Sequence, residues 1–232
     1  MRKISLVLFF TIPLVYSQWT VLNPAYWSLP QFRTVDFFDA NYGMTAGDSG
    51  RIQFTSNGGI SWVNKNCYSA VKFNSIKALS QSTYIACCDS GKMLRTTNYG
   101  DSWTNYGNLG NMNYLCLSFP NNMTGYCGGI QNLMKTTNGG VNWQLLKNNV
   151  QVWSMYFLNT QTGWLSVLNN TFSLFKTTNG GISWDTNINT PNMLTNMVFI
   201  NEITGWAVSH ANTFLKTTNS GTSWEYVNAN CG

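Results

Sequence analysis

The sequence predicts an all-β chain: a β-propeller of five four-stranded modules plus one extra N-terminal strand. Three observations carry this. An octapeptide of the form Thr-x-Asn-x-Gly-x-x-Trp occurs five times, ending at Trp62, Trp103, Trp143, Trp184 and Trp224, so that successive copies stand 41, 40, 41 and 40 residues apart. Between copies, short apolar runs alternate with short polar connections, as hairpins require. After the N-terminal leader no stretch keeps a 3.6-residue apolar period over three turns, which argues against helices. Four antiparallel strands in about 40–45 residues is the period of a propeller blade. Arranging such sheets round an axis limits the exposed-edge problem that one open sheet of this size would face.

Met1-Arg2-Lys3, the apolar run Ile4 to Val15 and the small-residue end at Tyr16-Ser17 read as a secretory signal peptide over residues 1–17, cut before Gln18. The apolar run is too short to span a bilayer as a helix. No other stretch is suited to crossing one, so no membrane span is expected and the product is secreted, periplasmic or extracellular. Residues 18–232 form the propeller domain. Gln18 to Asn23 (Gln-Trp-Thr-Val-Leu-Asn) resembles the strand after each octapeptide, such as Ser223 to Asn228, and is the extra strand.

The modules run approximately over 34–66, 73–107, 113–147, 151–188 and 195–228. In the first, Thr34–Asp39 is strand A, Gly43–Gly47 is B, Arg51–Thr55 is C, and Ser61–Lys65 after the octapeptide is D. A Phe stands six residues before a Gly in four modules: Phe37 and Gly43, Phe119 and Gly125, Phe157 and Gly163, Phe199 and Gly205. An aromatic follows that Gly at Tyr126, Trp164 and Trp206. Module two departs, with Ala78 and Tyr84 in these places. Because the last module already has its own D strand, the chain is either a five-bladed ring with a spare strand or an arc short of a larger ring. In the second case an oligomer becomes possible.

The octapeptide reads as a structural turn followed by an anchor. The Asn column (Asn57, Asn98, Asn138, Asn179, Asn219) offers a side-chain oxygen to backbone amides two or three residues on, and the Thr before each does so more weakly. Gly59, Gly100, Gly140, Gly181 and Gly221 suit a positive φ or a place with no room for a Cβ. The Trp opens the next strand and would bury roughly 150–250 Å².

Thr-x-Asn-x-Gly-x-Ser-Trp resembles the Asp-box, the bacterial neuraminidase repeat of sialidases, sortilin-type receptors and xyloglucanases, with Asn where Asp is commoner. The longer pattern, Gly-Trp followed by Lys-Thr-Thr-Asn-Gly-Gly-x-Ser-Trp, is most similar to the photosystem II assembly/stability-factor group of repeats, which also occurs in secreted bacterial proteins unconnected with photosynthesis. The resemblance covers residues 34–228. It implies a propeller whose ligands meet the end formed by the D–A and B–C loops, and it implies protein partners. Fold alone does not fix function.

Charged residues are 9% of the chain and aromatics 15%, the profile of a folded β protein. Without Arg2 and Lys3 the chain keeps 11 basic residues against 8 acidic, a net charge of +3 with no basic cluster, so nucleic acid is not an expected partner. Six cysteines (Cys67, Cys87, Cys88, Cys116, Cys127, Cys231) in an exported chain suggest structural disulfides or buried thiols. Cys116 and Cys127 belong to adjacent strands of one hairpin, while Cys87 and Cys88 face opposite sides of one strand. With no CxxC and no His pair, neither a metal nor another cofactor is expected. Asn122-Met123-Thr124 and Asn169-Asn170-Thr171 fit the N-glycosylation pattern, which has meaning in a eukaryotic host.

The D–A and B–C loops bring together the candidate binding residues Tyr26, Trp27, Arg33, Arg51, Lys92, Tyr106, Tyr114 and His210, a set that suits stacking on a sugar or gripping a peptide. Gly47-Asp48-Ser49-Gly50 echoes a serine-nucleophile motif, but its repetition as Cys88-Asp89-Ser90-Gly91 marks a B–C turn. Glycoside hydrolysis needs two carboxylates, and Asp48 and Asp89 are the only good pair. A sialidase also needs three arginines about the axis, whereas Arg33, Arg51 and Arg95 all lie in the first two modules. The basic column Arg95, Lys135, Lys176 and Lys216 is expected to lay its stems along blade surface with the charges in water. The sequence therefore predicts a non-enzymatic module that binds protein or serves as a scaffold; the alternative is a carbohydrate-binding or sialidase-like propeller.

Overall fold

The computed structural model describes residues 31–66, 71–108, 112–169, 171–190, 192–211 and 213–227. The signal peptide, the extra strand at Gln18–Asn23, Tyr26, Trp27, Cys67 and Cys231 lie outside the described residues. Blade one comprises β1 (Phe32–Phe37), β2 (Gly43–Gly47), β3 (Arg51–Thr55) and β4 (Val63–Asn66). Blade two comprises β5 (Phe73–Ala78), β6 (Tyr84–Cys88), β7 (Lys92–Thr96) and β8 (Thr104–Asn108). Blade three is β9 (Tyr114–Ser118), β10 (Gly125–Gly129), β11 (Asn132–Thr136) and β12 (Gln144–Asn148). Blade four is β13 (Val152–Phe157), β14 (Gly163–Asn169), β15 (Thr171–Thr177) and β16 (Asp185–Asn189). Blade five is β17 (Leu194–Phe199), β18 (Gly205–Ser209), β19 (Phe214–Thr217) and β20 (Glu225–Tyr226).

Each blade is a four-stranded antiparallel meander, and the five make a β-propeller. In blade one, strands B and C have the expected limits, while A begins two residues earlier and D two residues later. The only helical elements among the described residues are two three-residue 3₁₀ turns, Asp48–Gly50 and Asp89–Gly91. No helix there is long and apolar enough to cross a membrane.

The core lies between blades. Met44, Ile52 and Phe54 of blade one meet Phe73, Ile76 and Tyr84 of blade two, and equivalent clusters join blades two to three, three to four and four to five. The aromatic after the blade's Gly is the platform. Phe157 stacks on Tyr126 with centroids 3.5 Å apart, and Phe199 stacks on Trp164 at 3.7 Å. Cys88 packs toward blade one and Cys87 toward blade three, as strand alternation requires. Cys116 lies opposite Gly128 and Cys127 opposite Leu117 in one hairpin. Cys87, Cys116 and Cys127 carry thiols rather than disulfides, so for these three the disulfide expectation gives way to its alternative. They contribute apolar volume to closed interfaces.

The octapeptides are structural in all five blades. In blade four, Thr177 Oγ1 donates to Asn179 Oδ1 and accepts the amides of Asn179 and Gly181, while Asn179 Oδ1 accepts the amide of Ser183. The Asn therefore caps an amide four residues on, one residue beyond the reach the sequence suggests. Gly181 adopts φ +89°. Trp62, Trp103, Trp143, Trp184 and Trp224 are half-buried, not fully packed. Four of them stand edge-on to a Phe, as Trp184 does to Phe157 at 6.2 Å and 89°, while Trp103 is tilted at 54° to Phe73.

Two ends result. Box amides bond to A–B turn carbonyls, as from Gly180 to Gln161, and B–C turns bond to D–A segments, as from His210 N–H to the Met193 carbonyl. This is the arrangement of loops the sequence predicts.

Candidate functional site

The innermost strand of every blade carries a bulge near its start. The pairing register passes over Arg33, Asn74, Leu115, Trp153 and Thr195. A bulge bends its strand and re-aims one side chain. All five residues line a central channel of about 710 Å³ bounded by β1, β5, β9, β13 and β17. Standing at the beginnings of their strands, they line its mouth at the D–A/B–C end. The lining there is varied: a guanidinium, an amide, a leucine, an indole and a hydroxyl.

The charges at this mouth are paired. Arg33 Nε and Nη2 donate to the two Asp48 oxygens at 2.5 and 3.2 Å. That pair of bonds holds the Asp48 carboxyl below the usual range and raises the Arg33 guanidinium further. Asn74 Nδ2 donates to Asp89 Oδ1 at 2.7 Å and to the Tyr114 carbonyl at 2.8 Å. Lys72 Nζ stands 3.9 Å from the other Asp89 oxygen. Farther along β1, Asp36 accepts from Lys77 Nζ at 3.1 Å and from the Ala78 amide at 2.8 Å, tying blade one to blade two.

These bonds weigh against the carboxylate pair Asp48 and Asp89 as hydrolytic machinery. A general acid needs a raised pKa, and Asp48 is shifted the other way. Nor do the arginines converge on the axis. Arg51 lies over the Phe32 ring at 5.0 Å, and Arg95 donates to the Gly139 carbonyl at 3.1 Å.

Of the other predicted binding residues, His210 sits on the last B–C turn and is exposed, and Lys92 opens β7 directly after a 3₁₀ turn. Tyr106 is on the outermost strand β8, near the Arg95 guanidinium at 5.9 Å. Tyr114 is a correction. It is buried in the interface between blades two and three, and burial pushes its phenol up to about 12. Its side chain packs in the core of that interface. One member of the basic column is also placed differently. Lys135 Nζ donates to the Gly180 carbonyl of the next blade at 2.9 Å and lies over the Tyr126 ring, so burial lowers its pKa.

The sequence reading missed Asn74, Leu115, Trp153 and Thr195. A signal for them exists. The buried positions of the innermost strands are spaced three and then two apart, as in Val152, Met155 and Phe157 or Leu194, Met197 and Phe199, where a regular strand would keep twos.

No protein-family model matches the sequence, and no curated protein does. Solved structures do resemble the fold. YCF48 bound to D1 peptide superposes with a TM-score of 0.67 at 18% identity, covering 85% of this chain and 67% of that one. YCF48 from Cyanidioschyzon merolae gives 0.52 at 14%, covering 86% and 85%. The GH74 enzyme of Niastella koreensis gives 0.61 at 17%, with 84% of this chain matching 31% of that one. The likeness is one of fold. Propellers that bind peptide and propellers that are enzymes stand at the same distance from this chain.

Proposed function

We propose that the protein is an exported, non-enzymatic β-propeller that binds an extended peptide segment of a partner protein at the channel mouth. The observation that carries this reading is the ring of five bulged residues. It presents a mixed apolar and polar lining, while the two candidate catalytic carboxylates are engaged with Arg33, Asn74 and Lys72. A peptide offers alternating side chains and backbone amides to such a surface. Leu115 and Trp153 supply the apolar contacts. The superposition on YCF48 bound to D1 peptide supports a protein partner, and the signal-like residues 1–17 support export.

A peptide selected from a random displayed library on the purified chain tests the reading. Trp153→Ala is expected to weaken its binding roughly tenfold or more, as loss of an interface aromatic does, and Tyr106→Ala on the outer strand to leave it unchanged. Selection of no peptide, together with turnover of an aryl glycoside or xyloglucan that Asp48→Asn and Asp89→Asn both abolish, would replace it with the carbohydrate-active alternative.

A further inference from the structure

Among the described residues, four blade interfaces are buried and one pair of faces is not. In blades two to five, the A-strand positions that face the preceding blade are covered: Phe73 and Ile76 are 0% and 1% exposed, Leu194 and Met197 are 0% and 4%. The same positions of blade one, Phe32 and Val35, are 39% and 56% exposed, and Phe37 is 41% exposed. At the other end of the arc, Val208 and Phe214 are 43% and 38% exposed, whereas their blade-four equivalents Ser166 and Leu174 are 2% and 0%. Trp206 stands where Trp164 does, with Lys216 over its ring as Lys176 lies over Trp164. Trp164 is covered by the stacked Phe199; the face of blade five around Trp206 instead holds a hollow of about 200 Å³, lined by Val198, Trp206, Val208 and Phe214 among others. Strands β1 and β17 do not pack against each other as successive innermost strands do.

We propose that the free face of blade five takes the free face of blade one from a second copy of this chain, joining the copies head to tail. The occupant follows from continuity with the four interfaces already present. Each of them sets an A-strand of the pattern apolar, two residues, apolar, one residue, apolar against the blade before it; in the last two the platform is an aromatic, Tyr126 or Trp164, and in the first two Met44 and Ile85 hold that place. Phe32, Val35 and Phe37 are that pattern left exposed, and Trp206, half-buried, is the platform with no Phe stacked on it. In the join, Phe37 of one copy stacks on Trp206 of the other, as Phe157 does on Tyr126. Apolar faces of this kind mark association sites. The contact is heterologous, so it closes into a ring or propagates according to the rotation between copies.

Sedimentation velocity over a range of concentrations tests this on the purified chain. The wild type is expected to self-associate, and Phe37→Ser and Trp206→Ser each to weaken association roughly tenfold or more. Far-UV circular dichroism checks that both variants keep the sheet. Mixing the two variants decides the geometry. Phe37 of the Trp206→Ser copy and Trp206 of the Phe37→Ser copy remain intact, so the mixture must form a heterodimer at wild-type strength. A wild type that stays monomeric at every concentration overturns the proposal, whether the faces close on each other within one chain or take a different partner. Mixed variants that fail to associate overturn it as well.

Discussion

Thr177 is used to its full capacity: its hydroxyl donates one hydrogen bond and accepts two, beneath a turn whose Gly181 has φ +89°. Thr177→Val keeps the shape and leaves two amides without a partner, which is expected to cost about 1–3 kcal/mol in denaturant unfolding. Thr177→Ser should recover most of it. Gly181→Ala is expected to be worse than a loss of flexibility, because a Cβ there would stand 2.5 Å from Leu146 Cδ2 in a left-handed backbone. The octapeptide was readable because its turn chemistry is local. Tyr114 was misread because its burial depends on Leu79, Ile85 and Met93 of the preceding blade, residues far away in sequence. A second residue-scale test uses pH. Burial pushes Tyr126 up to about 12, and its one hydroxyl proton is shared between the Thr160 and Gly180 carbonyls, each 3.2 Å away. The fold therefore favours the neutral phenol. Its contribution is fully present below the ordinary phenol pKa of about 10 and is lost as pH rises from there through about 12. The melting temperature should fall over that window, and Tyr126→Phe should make the fall shallower.

At the scale of the element, equivalent strands in unlike surroundings make a controlled comparison. Trp164 on β14 and Trp206 on β18 occupy the same blade position, one fully buried under Phe199 and one half-buried beside a hollow. Trp164→Ala is expected to cost about 3–5 kcal/mol, and Trp206→Ala less than half as much in the isolated chain. Equal losses in urea unfolding would mean that the free face of blade five is covered in solution. The innermost strands carry a second lesson. Their limits were nearly legible, but the bulges at Arg33, Asn74, Leu115, Trp153 and Thr195 were not, because the paired-strand picture assumes strict alternation. The three-then-two spacing of apolar residues records the extra residue in each copy. It becomes meaningful once one knows which of the four strands is innermost.

For the whole molecule, a period of 40 or 41 residues pointed to five four-stranded modules and to the assignment of loops to two ends, while leaving ring closure open. It could not reveal that the Asp48 and Asp89 carboxylates would be taken up by side chains from the D–A loop and the A strand, since those contacts join different turns of the meander. Ligand is expected to meet the channel mouth built by the bulged strands. Amide hydrogen exchange with and without a library-selected peptide tests it most directly. Added protection is expected at the starts of β9 and β13 and in the adjoining D–A and B–C segments, with the box end unchanged. Protection confined to the octapeptide turns or to the outer strands β4, β8, β12 and β16 would contradict it.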